Sequence, residues 1–205
     1  APDHAWWQFW INNDDETLSD VAVRRALAHG LDKSLIAETV FGGVVDPVDA
    51  ILPPSHWAHA NDVRAYDYDP EGARSLLDEA GWRDVDGDGI REKDGAPLSL
   101  EVLNIAGQAD RRQVVQIAQD LWSDIGIDVT IREIDGASFP PTMSSGAYQL
   151  AYGWFGENQE PVFGLWLGTN WQNYSDEATL DLLRGVSSTV ERNERAAAIQ
   201  AFQNT

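Results

Sequence analysis

Cysteine is absent from all 205 residues. Disulfides, zinc–cysteine centres and a thiol nucleophile are thereby excluded. Lysine is nearly absent as well: Lys33 and Lys93 stand against 34 aspartates and glutamates, and the net charge is -20. A phosphate-binding face needs clustered cations, so nucleic acid is excluded as a partner, and anionic membranes are repelled. Long hydrophobic runs are missing too. The greasiest stretch, Ala5–Ile11, is strand length, far short of the ~20 apolar residues of a membrane span. Walker, G-x-S-x-G, H-E-x-x-H and dinucleotide fingerprints are all lacking. Carboxylates are so abundant that counting alone does not exclude a hydrolase with a glycosidase-type pair. No secretory leader pattern precedes Ala1-Pro2-Asp3, which reads as the start of a mature protein or of an excised domain.

What is present points to a globular α/β protein. Hydrophobic residues make up 43% of the chain, enough for one real core. Aspartate exceeds glutamate and arginine exceeds lysine, a skew that suits solubility in high salt and favours a halophilic source over an ordinary acidic protein. Trp6–Asn12 reads as an aromatic strand. Asp20 caps a helix with Val21, Val23, Ala26, Leu27 and Leu31 on one face. Asp32 caps a second helix, stopped at Gly42-Gly43. Residues 44–69 form a loop too long to be idle. Asp69-Pro70 opens a third helix, which ends at Gly81. Strands are expected at 98–105, around Ile127, Val129 and Ile131, and at 149–155. Helices are expected at 110–125, 138–145, 177–186 and 192–203. The strand–helix alternation from Leu98 to Phe155 implies a sheet with right-handed crossovers.

Four phrases then carry a resemblance. They are Asp20-Val-Ala-Val-Arg-Arg-Ala-Leu-Ala-His-Gly-Leu-Asp-Lys33, Tyr68-Asp-Pro-Glu-Gly-Ala-Arg-Ser-Leu-Leu-Asp-Glu-Ala-Gly-Trp82, Leu121-Trp-Ser-Asp-Ile-Gly-Ile-Asp-Val129 and Gly153-Trp-Phe-Gly-Glu-Asn-Gln-Glu-Pro161. Each is weak alone; in this order they resemble the peptide/nickel-binding family, family 5, of extracellular solute-binding proteins of ABC importers. The resemblance implies a periplasmic-binding-protein-like (type II) α/β lobe, with a mixed sheet flanked by helices. It implies that residues 1–205 are the second, C-terminal lobe of a two-lobed protein, without the first lobe and the return segment. The apolar surface near Ile199 and Phe202 is then expected to be exposed. It also implies a binding rather than catalytic role, an extracytoplasmic and lipid-anchored location, and an ABC-transporter permease as partner. The implied solute is a small peptide, with an oligosaccharide or a nickel complex as alternatives within the family.

The family position for pairing a peptide α-amino group falls on Glu157. A carboxylate beside Trp154 and Phe155 is a sound cation receptor, because the rings keep water away. Asn158, Asn104 in the strand-to-helix loop and Trp171 complete the expected ligand set, and Trp166 is a further aromatic of that region. The loop 104–110 offers no arginine, and Arg111 and Arg112 read as surface residues. No cofactor is required, but Asp84, Asp86 and Asp88, followed by Gly89, have calcium-loop spacing, with a carbonyl from Ile90. Position twelve is Gly95, so Glu92 or Asp94 must close the shell; a metal-free Asx turn is the alternative. His56 and His59 lack a third ligand and read as surface histidines. A calcium-stabilised adhesion module is a different class that this loop keeps open.

Overall fold

The computed structural model describes residues 4–157 and 170–203. Its main sheet has four strands: β1 (His4–Ile11), β4 (Ser99–Ile105), β5 (Asp128–Ile134) and β6 (Leu150–Glu157). Their order is β1-β6-β4-β5. β4 runs parallel to both β5 and β6, and β1 is antiparallel to β6. The carboxyl ends of β4, β5 and β6 therefore share one edge with the amino end of β1. A small hairpin, β2 (Glu92–Lys93) with β3 (Ala96–Pro97), stands apart.

Helices α1 (Val21–His29), α2 (Lys33–Phe41), α3 (Pro70–Glu79) and α4 (Ala109–Ser123) build the largest core on one face of the sheet. Alternation along the strands supplies its other half: Leu100 and Val102 from β4, Val129 from β5, Leu150 and Tyr152 from β6. The opposite face is covered by α5 (Phe139–Ser145), whose Phe139 and Met143 pack with Trp10, Leu103, Tyr148 and Ala151. A third cluster lies away from the sheet. There Leu52 and Ala58 of the long loop pack on Leu183 and Val186 of α6 (Glu177–Ser188) and Ile199 of α7 (Arg192–Gln203).

Local chemistry sets the element limits. Asp20, Asp32, Asp69 and Asp176 each accept a backbone N–H of the helix that follows, satisfying one donor that the first turn leaves open. Gly42 closes α2 at φ 62°, a left-handed position that glycine fills without steric cost.

Four expectations are corrected here. Val21 is 45% exposed, whereas Val23, Ala26 and Leu27 of the same helix are buried, so Val21 stands at the margin of the face that α1 turns to the core. His56 is buried, its Nδ1 accepting from the Ala58 N–H, because the loop folds under the last two helices. Ile199 is fully buried and Phe202 packs beside it, so the loop covers the apolar face that was expected to be open. Arg111 is buried rather than superficial, for reasons that the carboxyl edge of the sheet makes plain.

Candidate functional site

At that edge the strands end unevenly. β4 pairs with β6 only at Val102↔Leu150 and Leu103↔Ala151. β1 and β6 continue together through Trp7↔Trp154, Trp6↔Phe155, Ala5↔Gly156 and His4↔Glu157. A two-stranded ribbon thus projects past the end of β4, with Glu157 at its tip. Trp7 and Trp154 are directly opposed on one face of it, where side chains meet across the strands. They are 42% and 59% exposed, respectively. Two indoles held open to solvent at the carboxyl edge of an α/β sheet give an apolar, aromatic wall where ligands gather in such folds.

The base of this wall is polar and buried. Arg111, in the first turn of α4, lays its guanidinium 5.3 Å from the Trp7 ring centroid and 5.9 Å from that of Tyr152. Its Nη2 donates to the Tyr152 carbonyl oxygen. Burial lowers the guanidinium pKa from its usual value, opposed by the electrostatics of Tyr152 and Asp110, and burial raises that of the Tyr152 phenol. Asn104 alternates with Leu100 and Val102 onto the α4 face. It is fully buried, and neither amide atom has a partner among the described residues. Gly153 makes the close approach possible: a Cβ there would sit 2.9 Å from Trp10 Cη2 and 3.3 Å from Arg111 Nη2.

Of the expected ligand residues, Trp154 and the backbone of Phe155 and Glu157 come together on the ribbon. Asn104 lies beneath α4 rather than open to the edge. Trp171 is placed on the other face, edge-on to Trp10, with its Nε1 donating to Ser144 Oγ. Asn158 and Trp166 lie outside the described residues. Trp7 and Arg111 escaped the sequence reading; the signal available was the double tryptophan at the start of an otherwise ordinary strand. At the opposite end of the sheet is an open hollow of about 760 Å³, whose lining includes the acidic Asp14, Asp15, Glu16 and Glu101; its aromatic residue, Tyr148, is buried.

The acidic loop is a separate place. Asp84, Asp86, Asp88 and Glu92 each present a carboxylate oxygen, all within 4.8 Å of one another. Oxygens bound to calcium at 2.3–2.6 Å would be separated by up to about 5 Å. Glu92 rather than Asp94 completes the group. Asp94 and Gly95 form the turn of the β2–β3 hairpin, with φ 54° and 79°. The loop also has internal support, since Asp84 accepts from the Gly87 and Gly89 N–H groups and Asp88 from that of Ile90.

Comparison with known proteins gives a consistent picture. Residues 1–176 match the family described as bacterial extracellular solute-binding proteins, family 5 Middle. The dipeptide-binding protein of Escherichia coli (strain K12) is 26% identical over 204 residues, covering 94% of this chain and 36% of that protein. The oligopeptide-binding protein AppA of Bacillus subtilis, solved in complex with a nonapeptide, superimposes with a TM-score of 0.85 at 21% identity. That match covers 97% of this chain and 42% of the other. A periplasmic oligopeptide-binding protein of Thermotoga maritima, solved with mannohexaose bound, gives a TM-score of 0.88 at 21% identity, over 99% and 42% of the two chains. The chain spans well under half the length of each of these relatives.

Proposed function

The chain belongs to family 5 of the bacterial extracellular solute-binding proteins, and from that premise we propose that it forms one wall of a peptide-binding cleft in a two-lobed, extracytoplasmic component of an ABC importer. The observation that carries this is the projecting ribbon, with Trp7 and Trp154 exposed on it and Glu157 at its tip. An aromatic wall on a strand whose last position is a glutamate suits a solute with an apolar body and a cationic end, which describes the amino-terminal half of a peptide. Nothing in this arrangement calls for turnover: the role is to bind, close with the facing lobe, and pass the solute to a membrane permease. No helix among the described residues is long and apolar enough to cross a membrane. Because the site faces outward from one sheet edge, the facing lobe would supply the other half of the contacts. We read the chain as that second lobe.

In the full-length protein, calorimetry with trialanine tests the role of Glu157. Glu157→Gln should weaken binding by about 1.5–3 kcal/mol, the scale of a charge-assisted hydrogen bond. Acetylating the peptide amino group should cost the wild type a similar amount. Unchanged affinity in both experiments removes Glu157 from the site. An oligosaccharide ligand is the second reading, favoured by the same exposed indoles, since flat aromatic faces suit sugar rings; it predicts no dependence on Glu157 or on an amino group. For the acidic loop we propose a structural calcium held by Asp84, Asp86, Asp88 and Glu92, with a carbonyl from Ile90. Its four gathered carboxylates support the proposal, and calcium-dependent melting tests it.

A further inference from the structure

Arg111 is 3% exposed, yet among the described residues no carboxylate pairs with it, and its Nε has no hydrogen-bond partner. An arginine kept buried for an ion pair would have its counter-ion. Here the compensation comes from two ring faces and one carbonyl oxygen. The Trp7 and Tyr152 rings stack at 5.5 Å with 22° between their planes, and the guanidinium lies against both. Tyr152 and Trp154 are two residues apart on β6 and so share a face, and Trp7 stands opposite Trp154 in the register. The ribbon that carries these indoles has, among the described residues, no third strand beyond Leu103↔Ala151. Two strands alone are marginal in water, so the ribbon's angle to the rest of the sheet depends on what ties its base. Arg111 reaches that base from the first turn of α4 and bonds the backbone at Tyr152.

We propose that Arg111 is a positioning residue of the binding edge: it anchors Trp7, and through the cross-strand pair Trp154, against the start of α4. The consequence for solute binding rests on the reading above; the anchoring itself does not. Lysine could not replace it, because an ammonium is a point charge without the planar, delocalised face that lies against aromatic rings.

The test uses the full-length protein labelled with 5-fluorotryptophan. The fluorine resonances of Trp7 and Trp154 are assigned with Trp7→Phe and Trp154→Phe. Arg111→Met should shift both, while Trp57, which packs against Arg192 in the third cluster, stays in place. Trialanine affinity should fall about fivefold in Arg111→Met, within the lower range of one cation–ring contact. In a Trp7→Ala background the same substitution should add almost nothing, because residues acting as one unit are not additive. Arg111→Lys, which keeps the charge and is the milder change, should displace the same resonances and rescue little affinity. Unmoved Trp7 and Trp154 resonances would overturn the anchor, as would Arg111→Met and Trp7→Ala effects that simply multiply. If the wild type binds no peptide, the cleft reading fails while the resonances still decide the anchor.

Discussion

Trp10 and Gly153 show how a single side chain, or the lack of one, sets the edge of the sheet. Trp10 is 4% exposed and fills the space above Gly153, where any Cβ would come within 3.3 Å of both the indole and Arg111 Nη2. Gly153→Ala should therefore cost about 1–3 kcal/mol, the range for overpacking a filled core. Chemical denaturation measures it; a change below 0.5 kcal/mol, about the scale of an ordinary surface substitution, would show that the two side chains move aside freely. In the sequence, Gly153 was visible only as part of a motif. Its steric reason was not, because Trp10 lies 143 positions earlier and meets it only through strand pairing. Arg111 was hidden for the same reason. Beside Arg112 at a helix start it looks like a solvated cation, and the rings that enclose it come from β1 and β6.

Helices were legible because their signals are local. Asp20, Asp32 and Asp69 are each followed by the helix they announce, and apolar periodicity places most of the faces. The strands of the β2–β3 hairpin were not read, because two-residue strands carry no alternation; only the Asp94-Gly95 pair at its turn marks them. That hairpin decides how the acidic loop can act. By taking Asp94 and Gly95 into its turn, it leaves Glu92 as the fourth carboxylate and fixes the loop between α3 and β4. At a hundredfold excess over Kd, bound calcium should stabilise the fold by about 2.7 kcal/mol. For a chain of this size that raises Tm by roughly 5–10 °C. Magnesium at equal ionic strength is the control, and Asp86→Ala should abolish the difference. Identical melting in calcium and in chelator would reduce the loop to the Asx turns that already hold it.

At the scale of the whole molecule, charge and architecture point in different directions. A net charge of -20 disfavours the compact state through self-repulsion, while three apolar clusters favour it. Salt shortens the screening length from about 10 Å at 0.1 M to about 3 Å at 1 M. Tm should consequently rise between these concentrations of sodium chloride, and a flat or falling Tm would contradict the halophilic reading of the composition. The central claim is that the projecting ribbon is a solute-binding wall. Trp154 tests it most directly, because it is 59% exposed and its removal should leave the fold intact. Trialanine should be titrated calorimetrically into the full-length protein carrying Trp154→Ala, alongside the wild type. The predicted result is at least about a tenfold loss of affinity, near 1.4 kcal/mol, with Tm unchanged; equal affinity in the two proteins would contradict the account.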